Sequence, residues 1–240
     1  MQVHENLPSC WQDFTDAMDA GIDRIILFGP PGTGKTHTGL HYNVTAGSHR
    51  LICTEDMTEA EVTGCWKPSS SGTWSWETGK AIKAWQGDGI NGGRLVIDEI
   101  DRASGDVLSL LLAVTDTVGS AEWEHPENGR VVRPRDGFSV IMTTNVEDMR
   151  ELPEALRDRF PVRIRINTPH PDALLCLPED LRAAAAASAD ADKDRRFSIR
   201  TFMAFAKLRN SIGVERAAKM VFGKHADAIT DAILVNGVAR

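Results

Sequence analysis

Residues Gly29 to Thr36 read GPPGTGKT and fit the pattern G-x-x-x-x-G-K-[ST] throughout. Glycines at these positions let backbone N–H groups turn inward around phosphate oxygens. The N-terminus of a following helix favours the same negative charge. Gly29, Pro30, Pro31, Gly32, Thr33, Gly34, Lys35 and Thr36 are therefore a candidate nucleotide-phosphate cradle, with His37 the next helix residue. Lys35 has the reach for the outer phosphates, and Thr36 has the hydroxyl to hold a magnesium ion. Without the lysine and threonine, a Gly-rich strand-to-helix link would be only a turn.

Further along, Leu95 to Asp101 read LVIDEID. Carboxylates at the end of an apolar run can do two jobs beside a bound triphosphate. Asp98 would orient Mg²⁺ or its water, and Glu99 would polarise an attacking water as general base. Alone, the pair could equally cap a helix. The segment IMTTN places Asn145 just past another apolar run, where an amide could hold the nucleophilic water or simply end the strand in a turn. In LPEALRDRF, Arg157 and Arg159 sit two apart near the end of a short helix. Either could reach a neighbouring subunit's site and neutralise charge in the transition state, or form a surface ion pair with Glu154 or Asp158. In SIRT, Arg200 opens a later helix and could fold onto the outer phosphate or remain solvated.

Such residues need a rigid frame. Five apolar segments read as strands: 25–28, 50–54, 94–97, 139–144 and 162–166. The third and fourth are continuous apolar runs, as in strands covered on both faces. The fifth alternates Val162, Ile164 and Ile166 with Arg163 and Arg165, as in an edge or half-exposed strand. Helical patterns at 35–45 and 104–118 lie between them, and alternation of this kind implies a parallel sheet with helices on both sides. Residues 1–23 read as a helical lead-in with Trp11, Phe14 and Met18 on one face, packed on the core or touching a base. Beyond Pro169 and Pro171 the chain turns helical: an Ala-rich stretch at 181–191, a charged turn at 190–196, then amphipathic helices at 198–209 and 215–235 separated near Gly213. The expected domains are an α/β nucleotide-binding domain at 1–170 and a small helical lid at 171–240.

Composition adds exclusions. At 42% apolar and 25% charged residues, the chain is globular. The 27 basic against 34 acidic residues leave a net charge of −7, with no global basic footprint for nucleic acid. The four cysteines are scattered, with no C-x-x-C pair, and read as reduced thiols rather than a disulfide or zinc framework. No apolar run approaches a membrane span and the first residues carry no signal pattern, so a cytoplasmic location is expected.

Taken in order, GPPGTGKT, LVIDEID, IMTTN, LPEALRDRF and SIRT resemble the AAA+ ATPases over about residues 20–235. That resemblance implies the sheet order 5-1-4-3-2, a C-terminal helical lid, ATP as the nucleotide, and a homo-oligomeric, usually hexameric ring with sites between neighbours. It matches Asn145 to sensor 1, Arg159 to the arginine finger with Arg157 as second choice, and Arg200 to sensor 2. The segments TEDMTEAEVTGCW (54–66), GTWSWETGKAIKAWQG (72–87) and Glu122 to Gly137 with its PENGRVVRPRDG turns are similar to the MoxR-like, midasin and dynein-related branch. Four of the six tryptophans fall here, and Trp74 and Trp76 either cap a hairpin's own small core or grip a substrate. The implied activity is Mg²⁺-dependent ATP hydrolysis coupled to remodelling of a protein client. The alternatives are a DNA-acting motor using Arg130, Arg133 and Arg135, and a nucleotide-gated binding module that hydrolyses little.

Overall fold

The structure is a computed structural model that describes residues 7–70, 72–103, 105–189 and 191–238. Its first part runs α1 (Ser9–Asp19), β1 (Arg24–Phe28), α2 (Lys35–His41), β2 (Ser48–Ile52), α3 (Glu59–Val62), β3 (Gly64–Pro68), β4 (Trp74–Thr78), α4 (Lys80–Gln86) and β5 (Arg94–Asp98). Then follow α5 (Gly105–Val114), β6 (Trp123–Glu124), β7 (Val131–Val132), β8 (Ser139–Thr143), α6 (Glu154–Arg159) and β9 (Val162–Arg165). The remainder is helical: α7 (Pro171–Leu175), α8 (Glu179–Ala189), α9 (Ile199–Ile212), α10 (Val214–Phe222) and α11 (Ala226–Val238). Ser104, expected to start α5, lies outside the described residues, as do residues 1–6 of the expected lead-in, Ser71, Asp190 and the last two residues.

By contacts the chain forms two units. The larger comprises Asp16–Phe28 and Lys35–Ile164; the smaller comprises the residues up to Thr15, the loop Gly29–Gly34, and Arg165 onward.

The larger unit is built on the sheet β2-β5-β8-β1-β9. Numbering these five strands alone along the chain gives 2-3-4-1-5, which from the other edge is the expected 5-1-4-3-2. β2 pairs with β5, β5 with β8, and β8 with β1, all parallel. β5 is buried along its whole length and β8 nearly so, as continuous apolar runs require. β9 stands at the edge with Arg163 and Arg165 exposed. One core cluster gathers Ile26, Leu51, Leu95, Ile97, Val140 and Met142 from the sheet with Trp85 and Leu111 from the helices and Phe160 from the end of α6. The helix α4 carries no sequence expectation, and its C-cap Gly87 adopts φ 52°.

Two features fix α2, the helix that carries Lys35 and Thr36. Gly39 lets its backbone approach the sheet, because a Cβ there would meet Ile141 Cγ2 at 3.3 Å and Val96 Cγ1 at 3.5 Å. At its C-terminal end, buried Arg94 donates from Nη1 to the carbonyls of Gly39 (3.2 Å) and Tyr42 (2.5 Å) and from Nε to Ser139 Oγ (3.2 Å). A cation on the last carbonyls of a helix offsets its macrodipole. Burial lowers the Arg94 pKa to about 10, which still leaves it charged at neutral pH. α2 stops at His41, short of the expected 45. Asn43 follows in the left-handed region at φ 48°, a conformation that asparagine tolerates.

Two small antiparallel hairpins, β3–β4 and β6–β7, sit on this unit. Trp66 stands opposite Trp76 in the first. Trp76 meets Trp66 edge-on at 5.7 Å and lies 5.9 Å from Trp123, and Trp123 lies 5.4 Å from His125. The aromatic rings thus join the two hairpins. Trp76 takes the packing role, whereas Trp74 is 64% exposed.

The smaller unit has its own core of Leu177, Leu181, Ile199, Phe202, Phe205 and Phe222. Ser198 caps α9, accepting from the Thr201 N–H at 3.3 Å. The helix expected at 215–235 is two helices in the structure. Gly223, at φ 55°, ends α10, and a single 3₁₀ turn leads into α11. Apolar periodicity runs through this break, so the pattern alone does not reveal it. All four cysteines are free thiols. Among the described residues no helix is long and apolar enough to cross a membrane.

Candidate nucleotide site

The loop Gly29–Gly34 is shaped by close neighbours within the smaller unit. A Cβ on Gly29 (φ 119°) would meet the Ile166 carbonyl oxygen at 2.7 Å, and one on Gly32 (φ 78°) would meet Ser198 Cβ at 2.6 Å. Only glycine fits both the dihedrals and the space. The Thr33 carbonyl accepts from the His170 N–H at 2.9 Å. Beside Gly34, the His170 ring packs edge-on against Trp11 at 4.9 Å, and Trp11 Nε1 donates to the Thr168 carbonyl at 2.8 Å. His170 is 4% exposed. Nothing in its local sequence singles it out: as the residue before Pro171 it reads as a turn. Thr33 is buried, and its hydroxyl donates back to the Pro30 carbonyl at 3.2 Å. Arg200 lies two residues past Ser198 in the same unit and is exposed.

Lys35 and Thr36 begin α2 in the larger unit. Lys35 is buried, and its Nζ donates to Asn145 Oδ1 at 3.2 Å. The Thr36 hydroxyl donates to Asp98 Oδ1 at 2.8 Å. The same oxygen accepts from Thr143 Oγ1, and Asp98 Oδ2 accepts from Nε and Nη2 of Arg50. Asp98 is 7% exposed, and burial by itself would raise its pKa. The hydrogen bonds from Thr143, Arg50 and Thr36, with the charge of Arg50, outweigh that cost and hold the carboxyl below its usual range. The parallel register explains the convergence: β5 ends at Asp98, with β8 and its Thr143 on one side and β2 with Arg50 on the other. Neither Arg50 nor Thr143 stood out in the sequence. An Arg in strand 50–54 and a Thr ending strand 139–144 look like ordinary strand residues until the sheet order is known.

Glu99 follows in the left-handed region, at φ 57° and ψ 45°. For a non-glycine residue that backbone costs about 1–2 kcal/mol. Its carboxylate pairs with Arg102 Nε at 3.2 Å, a half-exposed pair of small worth. His37 is exposed and stacks on His41 at 4.4 Å.

The two arginines of α6 differ. Arg159 is exposed and pairs with Asp116 at 3.6 Å, not with Glu154 or Asp158. Arg157 is half-buried, and its Nε finds no hydrogen-bond partner among the described residues. Of the basic stripe, Arg133 is taken up by Glu122.

A family model for the AAA domain of the dynein-related subfamily matches residues 24–160, more than half of the chain. The chain belongs to this family. The dynein-related AAA domain thus spans the phosphate loop, Asp98–Glu99, Asn145 and the α6 arginines. No curated protein matches the AAA chain. Among solved structures it is similar to a candidate ATPase from Cytophaga hutchinsonii, with 18% identity and a TM-score of 0.43 over 70% of this chain. The AAA chain spans about half, 54%, of that protein's length.

Proposed function

We propose that this AAA ATPase hydrolyses ATP with Mg²⁺ in a homo-oligomeric ring and uses the cycle to remodel a protein client. The observation that carries the ATP chemistry is the convergence of Lys35, Thr36, Asp98 and Asn145 at one end of the sheet. The donor set suits magnesium: a threonine hydroxyl and a carboxylate 2.8 Å apart are hard oxygen ligands. Among the described residues no group of three or more His, Cys, Asp or Glu could hold a metal.

In this reading Thr36 would hold the ion directly and Asp98 through its water, and the ion would supply charge neutralisation for the phosphates. The loop N–H groups and Lys35 carry the remaining phosphate charge. Asn145 keeps Lys35 in place through Oδ1, leaving its amide N–H groups to orient the attacking water. Glu99 takes the proton from that water. Its strained backbone is consistent with a side chain placed for chemistry rather than stability. Arg159, only loosely held by Asp116, would enter a neighbour's site, and Arg200 would approach the outer phosphate from α9.

A polypeptide client is supported by the exposed indole of Trp74, with Trp66 at 42% exposure beside it on the first hairpin. Exposed aromatics on a firmly anchored hairpin suit gripping an apolar chain. Arg133, neutralised by Glu122, weakens the DNA alternative. The test is capture on the Glu99→Gln form with ATP. The expected result is a retained polypeptide released on chelating the metal. Retention of nucleic acid alone, with binding that falls steeply with salt, would overturn the protein-client reading.

A further inference from the structure

Arg50 has no part in the chemistry above, yet it places two donors on the Asp98 carboxylate. β2 and β5 run in parallel with Ile52 opposite Asp98. Arg50, two residues earlier on β2, shares the face of Ile52 and leans diagonally onto the Asp98 carboxylate. It places both Nε and Nη2 on Oδ2, while Thr36 and Thr143 occupy Oδ1. An ionised carboxylate offers about four acceptor positions, so Asp98 is fully subscribed.

A metal-bound water that donates to Asp98 needs one of these positions. Thr36 need not leave, because a hydroxyl can give its proton to Oδ1 while its oxygen faces a cation. Thr143 is 1% exposed and fixed in β8. The Arg50 side chain is 42% exposed and free to swing outward. We propose that Arg50 is a latch on Asp98: it occupies the place of the metal-bound water, and magnesium loads only by displacing it. The inference rests on reading Thr36 and Asp98 as the metal-holding pair. Arg50 is thus a positioning residue that sets how much Mg²⁺ the site needs. It holds Asp98 aimed when the metal is absent, and its positive charge opposes the incoming cation.

The experiment uses the full chain carrying Glu99→Gln, so that nucleotide is not consumed. Binding of a fluorescent ATP analogue is followed by anisotropy in chelator and across a Mg²⁺ titration. The readout is the Mg²⁺ concentration giving half of the metal-dependent gain in affinity. Removing one charge next to a divalent ion in a half-exposed site should lower that concentration about tenfold in Arg50→Gln. Arg50→Lys, which keeps the charge but cannot put two donors on Oδ2, should lower it by about threefold. The lysine variant carries the test if the glutamine variant does not fold. An unchanged or higher requirement in the folded variants overturns the latch. A parent protein that binds the analogue equally well with and without Mg²⁺ overturns the Thr36–Asp98 reading itself, and the latch with it.

Discussion

The Thr36 hydroxyl donates to Asp98 Oδ1 at 2.8 Å, across 62 residues of sequence. This bond ties the first turn of the helix after the phosphate loop to the last residue of the buried strand β5. It joins two motifs, GPPGTGKT and LVIDEID, that are separate in the chain, and it puts two hard oxygen donors side by side.

Thr36→Ala removes a hydrogen bond to a charged group and one proposed metal ligand. The expected loss in metal-dependent nucleotide affinity is roughly 10- to 100-fold, the equivalent of about 1.5–3 kcal/mol. Thr36→Ser should restore most of it. Affinity in chelator should hardly change, and titration calorimetry with and without Mg²⁺ checks all three.

The depressed pKa of Asp98 has a consequence for acid stability. A carboxyl with a folded pKa below its unfolded value of about 3.9 contributes stability above that value. The contribution is lost as pH falls through the folded pKa. Asp98→Asn should therefore lower stability at neutral pH, and the gap from wild type should close only below about pH 4. Urea unfolding between pH 2.5 and 7 measures that gap.

Much of this site was legible from residue types and spacing. The glycines, Lys35 and Thr36 announce themselves because phosphate binding demands an unusual local backbone, and local demands are written locally. The strand-end acids were readable for a similar reason, as charges terminating an apolar run. The sheet order came from resemblance rather than from periodicity, which reveals strands but not their neighbours. Arg50, Thr143 and His170 escaped notice because their roles arise from pairing across 45 to 137 residues of chain. The break at Gly223 was hidden because the apolar spacing on either side of it continues in phase.

Gly32 provides a steric test. A Cβ there meets Ser198 Cβ at 2.6 Å and the φ of 78° is strained for any other residue, whereas Gly21 has φ 79° but open space around it. Gly32→Ala should cost both strain and a clash, and Gly21→Ala only strain of about 1 kcal/mol. Thermal unfolding should separate the two, and only Gly32→Ala should weaken ATP binding.

Arg159 separates catalysis from stability. Its exposed ion pair with Asp116 at 3.6 Å is worth at most about 1 kcal/mol. Arg159→Ala should leave the melting temperature nearly unchanged and ATP binding intact, yet reduce turnover by about 10³-fold or more. Mixing it with Lys35→Ala subunits should recover some activity, since each supplies what the other lacks across an interface. No recovery and an undiminished rate in Arg159→Ala would move the finger role to Arg157.

The most direct measurement is steady-state phosphate release from ATP by the wild type and by Glu99→Gln, at matched protein concentrations high enough for assembly. The account predicts Mg²⁺-dependent turnover in the wild type and a fall of about 10²- to 10⁴-fold in the variant with ATP still bound. A wild-type rate no higher than that of Glu99→Gln would contradict it and leave a nucleotide-binding module without catalysis.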